Sequence, residues 1–433
     1  MKLWQKEQTS TAAIVEQFTV GRDKEFDLHL AKYDVQGSIA HVTMLGEVGL
    51  MSKAEADLAV SGLKEIAAII ESGAFQIEDG VEDVHSQVEL MLTRKIGEAG
   101  KMIHSGRSRN DQVAVDIKLY LRAEILAIKK SVTALFECLQ TQSNKFKDKL
   151  IPGYTHLQIA MPSSAGMWLG AYAESLVDDM EFLAAAYQVA NKNPLGSGAG
   201  YGSSFPLNRK RTTELLCFGD LNWNAVYAQM TRGKTEKLTS MALSSIAATV
   251  GRLAMDGCLY LNQNFGFLSF PNELTTGSSI MPHKKNPDVF ELIRAKCNRI
   301  QSIPNELNLL LANLPSGYHR DLQLTKEILF PAINELKACI DLTILMLSNM
   351  EVKDGILDDE KYKYLFSVEA VNELVNKGIP FREAYKQVGN SIDAGTFDFD
   401  YTKQLHHTHE GSLGNLCNEE IKGAFERVSG KFV

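Results

Sequence analysis

The stretch from Gln112 to Lys149 contains neither glycine nor proline and repeats apolar residues at helical spacing: Val113, Ile117, Leu121, Ile125, Ile128, Val132, Leu135 and Leu139. With no breaker to interrupt it, the segment is expected to form one helix about 50 Å long. Segments 163–191, 235–262, 288–312 and 326–350 read the same way. Each carries apolar residues around more than one face, so each must be surrounded by other helices. The expected fold is all-α: an elongated central five-helix bundle with smaller N- and C-terminal helical domains, divided as 1–106, 107–350 and 351–433. So much apolar helix surface also points to completion by helices of other subunits.

Before the bundle, 27–50 has a helical rhythm, Ser52-Lys53-Ala54-Glu55 is a capping box for a helix to about Ile70, and 87–98 reads as another helix. No strongly alternating strand is expected anywhere. Lys+Arg 45 against Asp+Glu 53 leaves a net charge of −8, which argues against nucleic acid as the main partner. Six widely spread cysteines read as reduced, mostly buried thiols of a cytoplasmic protein. The first residues lack an apolar signal core, and no uninterrupted apolar run is long enough to span a bilayer, so no membrane partner is expected.

Reactive side chains concentrate in the loops between the long segments. Gly277-Ser278-Ser279-Ile280-Met281-Pro282-His283-Lys284-Lys285-Asn286-Pro287-Asp288 joins hydroxyl, cationic and amide groups to the start of a helix, where backbone N–H groups favour negative charge. Taken on its own, this stretch is better explained as a plain surface loop. Gly106-Arg107-Ser108-Arg109-Asn110-Asp111 opens the longest helix; it is either a carboxylate cradle or a capped start with solvated arginines. Gly153-Tyr154-Thr155-His156-Leu157-Gln158 puts a histidine in a bend between two long helices, available for proton work or merely structural. The glycines of 194–202 follow a helix rather than a strand, which excludes a dinucleotide fingerprint and leaves close backbone approach to a ligand or a neighbouring subunit. Tyr318-His319-Arg320-Asp321-Leu322-Gln323 with Lys326 is a further polar cluster. His406-His407-Thr408-His409 lacks spaced carboxylate or cysteine partners and reads as a solvated turn, so no metal site is expected.

Taken together, and in this order along the chain, these segments resemble the fumarase/aspartase superfamily. The signature is Gly-Ser-Ser-x-Met-Pro-x-Lys-x-Asn-Pro at 277–287. The 106–113 segment, Thr155-His156-Leu157-Gln158 and the double lysine at 284–285 look like its argininosuccinate lyase branch. The resemblance runs from about residue 20 to the C-terminus. It implies a homotetramer with a twenty-helix core and active sites each shared by three subunits. The implied reaction is reversible β-elimination of argininosuccinate to L-arginine and fumarate in arginine biosynthesis, without metal or organic cofactor. Rival readings are a superfamily lyase releasing fumarate from another amine, or a catalytically idle structural protein.

The resemblance also implies roles. Removing a proton next to a carboxylate needs a base and preorganised positive charge around the dianion. Ser278 matches the catalytic base, with Lys284 and nearby amides stabilising its alkoxide. His156 matches the acid toward the departing guanidinium, and Glu291 the carboxylate that orients it from another chain. Lys284 and Asn286 fit the fumarate-side carboxylates. Ser108, Arg109, Asn110, Thr155, Tyr318, Gln323 and Lys326 match substrate-binding positions. Asp83 and Asp27 match acids holding the arginine end, and the signature loop is expected to act as a lid. The chain departs from the family pattern at its start, where Leu3-Trp4-Gln5-Lys6 replaces a Trp-Gly-Gly-Arg-Phe motif. It departs again at Asp23, where serine is usual, at His283, at His319 and at Leu324-Thr325. These cluster around the amino-acid end of the substrate, so the leaving group is what they bear on.

Overall fold

The computed structural model describes residues 13–401, 405 and 407–432. The N-terminal departure at residues 3–6 and His406 lie outside them. The five long segments are helices: Arg109–Lys145, Ala165–Ala190, Lys234–Leu261, Asp288–Leu310 and Thr325–Ser348. The first is 37 residues long. From Ala114 to Leu121 it is buried on every side, taking even Asp116 and Lys118 into the interior. The five helices share one hydrophobic core that includes Leu121, Leu176, Ile246, Ile293 and Leu336. A second cluster lies within residues 31–103, around Val42, Leu45, Leu63 and Leu92, and a small third one joins Val371, Ala384, Val388 and Phe397.

The helix starts follow local chemistry. Ser52 and Glu55 form the expected capping box on Lys53–Glu71. Ser108 and Asp111 form another on Arg109–Lys145, and the Asp83 carboxylate caps Val84–Ile96 by accepting from Ser86 N at 2.8 Å. The other oxygen of Asp111 accepts from Gly196 N and Gly198 N at 2.9 and 3.0 Å. The glycine loop's close approach is therefore to a carboxylate of its own chain. Gly196, Gly198, Gly200 and Gly202 all have positive φ, which lets the loop turn its N–H groups inward.

Residues 150–164 correct the expectation of a bend without strands. Leu150–Thr155 and Gln158–Ser164 pair antiparallel, and His156 and Leu157 form the two-residue turn with φ of 54° and 61°. A two-residue hairpin wants both central residues in the left-handed region, the conformation that twists with the strands. Gly166 fixes the hairpin base. A Cβ there would lie 2.4 Å from Ser143 O and 2.5 Å from Lys147 Cα, both backbone atoms. Gly166→Ala should therefore destabilise the protein by about 1–3 kcal/mol, measured by urea unfolding; an unchanged midpoint would show that the two helices can part without cost.

Two other expectations need amending. Only Cys297 and Cys339 are buried; Cys217 is exposed and the rest are intermediate. Lys234–Leu261 passes a length-and-composition test for crossing a membrane, but Arg252 and Asp256 interrupt its apolar run and its Leu243, Ile246 and Val250 are buried in the core. His407 is held rather than solvated, its ring between Ser412 Oγ at 2.7 Å and Glu369 Oε1 at 3.3 Å.

Candidate active site

Three of the long helices begin at the same end of the bundle, at Arg109, Lys234 and Thr325, and a cavity of about 440 Å³ lies among those starts. Asp27, Asp83, Ser108, Arg109, Asn110, Tyr318, Gln323 and Lys326 all line it, as does Asp23. Converging helix N-termini give this end a positive field. Acids from the N-terminal region answer it. Lys326 is paired with both Asp23, at 2.5 Å, and Asp27. Gln323 donates to Thr19 O and Val20 O, closing the cavity rim.

Arg109 corrects the picture of an open carboxylate cradle. Its Nε lies 2.9 Å from Asp83 Oδ2 and its Nη1 3.1 Å from Glu82 Oε2, so its fork is engaged by acids of its own chain. Burial pushes the Asp83 carboxyl up, but His85, Arg109 and the Ser86 N–H outweigh it and hold the group below its ordinary value. Asp23 goes the other way. Burial and the Asp27 charge push it up to about 6, more than Lys326 pulls it down.

Beneath the cavity lies a buried cluster of Asp34, His85 and Asp116. His85 Nδ1 is 2.8 Å from Asp34 Oδ1 and 3.5 Å from Asp116 Oδ2. Burial opposes charge on His85, yet Asp34, Asp83 and Asp116 outweigh it and push the imidazole up to about 9. Among the described residues this is a group of His, Asp and Asp side chains close enough to share an ion, one that the sequence did not point to. His41 behaves oppositely. It is fully buried, its Nε2 donates to Ser105 O at 2.9 Å, and burial with Arg107 pushes it down to about 3. The unfolded chain takes up a proton below about 6.5 that the folded chain refuses. Between about pH 6.5 and pH 3, folding stability should thus fall by about 1.4 kcal/mol for each unit the pH drops, from this group alone. Comparing the acid limb of wild type with His41→Gln checks this; equal slopes would reject it.

Six expected site residues lie elsewhere. Ser278, Lys284, Asn286 and Glu291 belong to the loop and first turn of Asp288–Leu310. That helix start packs on the far part of Lys234–Leu261, where a Cβ on Gly257 would meet the Phe290 ring at 3.0 Å. From Lys234 to Gly257 is about 35 Å of helix. Thr155 and His156 lie past the far end of Arg109–Lys145, about 54 Å from Arg109 along its axis. Their hairpin sits at the same end as the signature loop. Tyr154 meets Phe265 at 5.3 Å between ring centroids, and Trp168 donates to Asp256 at 2.9 Å. Ser278 Oγ accepts from Met281 N at 3.2 Å and Ile280 N at 3.4 Å. Asn286 N donates to Thr276 O at 2.8 Å, which closes the loop. The site residues thus fall into two groups at opposite ends of one chain, each at helix N-termini.

Sequence reading gave no site role to Glu82, His85, His104 and Arg232 among the cavity residues, and named Arg320 only as part of the polar cluster at 318–323. The available signal for Arg232 was its place in Thr231-Arg232-Gly233, a glycine–arginine junction before a long helix like the one at Gly106-Arg107.

A protein-family model described as a lyase matches residues 6–302. An argininosuccinate lyase from Bacteroides thetaiotaomicron is 59% identical over 427 residues, 99% of this chain and 95% of that protein. Another from Thermotoga neapolitana is 39% identical, covering 89% of this chain and 97% of its own length. Among solved structures, an EDDS lyase in complex with formate aligns with a TM-score of 0.74 at 21% identity, covering 98% of this chain and 91% of that one. A class II fumarase from Schistosoma mansoni gives 0.71 at 16%, covering 94% and 91%. At these identities the two structures bear on the fold alone. The helical fold is that of the fumarase/aspartase superfamily, and the sequence identity over nearly its whole length establishes that the chain belongs to the argininosuccinate lyase family.

Proposed function

We propose that this protein cleaves argininosuccinate reversibly into L-arginine and fumarate by β-elimination, as a cytoplasmic enzyme of arginine biosynthesis. The observation that carries the reading is the 59% identity, over 99% of the chain, to an enzyme named for that substrate. The site residues act as follows. Ser278 removes the proton beside the carboxylate, its oxygen stabilised by the loop N–H groups that already point at it. Lys284 and Asn286 hold the fumarate carboxylates, and His156, oriented by Glu291, protonates the departing nitrogen. Ser108, Arg109, Asn110, Thr155, Tyr318, Gln323 and Lys326 hold the substrate, with Asp27 and Asp83 supporting its arginine end.

These groups cannot meet within one chain, since about 35 Å of rigid helix separates the cavity from the signature loop. We therefore read the enzyme as a homotetramer whose sites take segments from three subunits. Exposed Leu126, Phe182, Leu292, Leu309, Leu342 and Leu345 on the long helices support this, because they offer unpartnered apolar surface. For the division into 1–106, 107–350 and 351–433, the second and third clusters support separate terminal units, while the central core also takes in Phe26 and Leu30 from the first range and Phe366 and Phe425 from the last. Fumarate absorbance followed with argininosuccinate, adenylosuccinate and malate tests the activity. A signal with argininosuccinate alone is expected, and none with it would overturn the proposal.

A further inference from the structure

The hairpin that carries His156 holds a conformation its own turn residues do not favour. His156 and Leu157 both take left-handed φ, a region that costs any residue with a Cβ. Neither is the asparagine or glycine that such a turn prefers. The pairing of the two strands also shifts register between Pro152 and Tyr154, which puts a bulge at Gly153. A Cβ at Gly153 would lie 2.9 Å from Met161 O, so the bulge depends on this glycine. Bulges bend a strand and re-aim the side chain beside them. Here that side chain is Tyr154, two residues before His156.

Residues 155–158 are exposed, whereas Tyr154 packs inward. Its ring meets Phe265 edge-on at 5.3 Å between centroids, and its phenol oxygen lies 3.3 Å from that of Tyr362. Tyr362 comes from beyond the long helices, at the end of a short helical turn, Glu360–Tyr362, and is buried. That turn is fixed in its own right. The Asp359 carboxylate caps it by accepting from Lys361 N at 3.1 Å, and Phe267 stands 6.4 Å from the Tyr362 ring. A phenol O–H shut away from water needs a partner, and these two hydroxyls supply one to each other.

We propose that Tyr362 is a positioning residue for His156, acting through Tyr154. This rests on the lyase reading above, in which His156 protonates the departing nitrogen. Tyr362 touches no reacting group. It fixes Tyr154, and Tyr154 with the bulge sets the angle at which the turn presents the imidazole. A proton donor works only within hydrogen-bond reach of the atom it serves, so play in the hairpin lowers turnover. The region after residue 350, which holds none of the expected site residues, thereby takes part in the reaction.

Tyr362→Phe keeps the ring and removes the hydroxyl, while Tyr362→Leu also removes the wall behind Tyr154. With argininosuccinate, kcat should fall about two- to tenfold in Tyr362→Phe, the size of one lost hydrogen bond. In Tyr362→Leu it should fall about ten- to a hundredfold, as for a misplaced reacting group. KM should stay within about twofold in both, because the acid acts only in the transition state. Tyr154→Phe should match Tyr362→Phe, and the two together should cost no more than either alone. In a His156→Ala background Tyr362→Phe should cost nothing further, whereas a merely structural role would keep its full effect there. That full effect, or an unchanged kcat in both Tyr362 variants, overturns the proposal. Amide hydrogen exchange needs no turnover. Across residues 150–164 it should quicken about tenfold in Tyr362→Leu, while residues 109–145 keep the wild-type rate. Unchanged exchange sinks the anchor whatever the turnover. Quickened exchange beside a wild type that releases no fumarate sinks the lyase reading alone.

Discussion

Ser278→Ala is expected to lower turnover between about a hundredfold and ten-thousandfold, the range that a positioned proton-transfer group supplies. The fold should hardly notice. Ser278 sits in an exposed loop, and the two N–H groups that lose its oxygen, those of Ile280 and Met281, can turn to water. Unfolding midpoints should therefore match the wild type to within about 0.5 kcal/mol. The geometry explains why a serine can serve. A hydroxyl is a poor base until its alkoxide is stabilised, and two backbone donors at one oxygen, in a loop that feeds a helix N-terminus, are the arrangement that stabilises such a charge. Initial rates of fumarate formation decide the matter. Turnover within tenfold of wild type would remove Ser278 from the role of base.

The long helices were legible because nothing else suits a stretch like 112–149: no breaker, and apolar residues on every turn. Their ends were legible to within about four residues: 288 is both the expected and the observed start of Asp288–Leu310, whereas 112–149 is the stretch expected for a helix that runs Arg109–Lys145, and Ser108 was not legible as its cap. The hairpin at 150–164 was not legible. Its turn is His156-Leu157, neither of them a residue that favours positive φ, and Pro152 and Pro162 interrupt the strand pattern. Its conformation is imposed by tertiary context, with Tyr154 packed on Phe265 and Gly166 locked against Ser143 and Lys147.

The candidate site divides the same way. Most residues named for it lie near a helix N-terminus or in the loop before one, a position that composition and spacing can find; Thr155 and His156 at the hairpin turn and Asp27 at the end of a short helix do not. Which of those starts share a space is a property of the up-and-down path of five helices, invisible in a local window. Family resemblance supplied the membership of Asp27, Tyr318 and Lys326. It could not show that Arg109 is held by Glu82 and Asp83, or that Asp23 competes with Asp27 for one lysine.

That division of the site between the two ends of the chain makes a second large effect expected. Asn110→Ala disables the cavity end and Ser278→Ala the loop end, so each variant alone should be nearly inactive. On the proposed shared-site reading, some sites of a mixed oligomer draw an intact cavity from one subunit and an intact loop from another. With equal amounts and random exchange, about one site in four receives both, so activity should recover to about a quarter of wild type. Had the two segments belonged to one chain's site, no mixed oligomer could hold a fully intact site, and mixing would restore nothing. Exchange can be verified by mass spectrometry of isotopically labelled subunits under native conditions. Persistent inactivity after verified exchange would mean that Asn110 and Ser278 serve the same chain's site. The 35 Å of helix between the ends would then have to be bridged by a rearrangement of the bundle itself, at a cost that its close-packed core makes prohibitive.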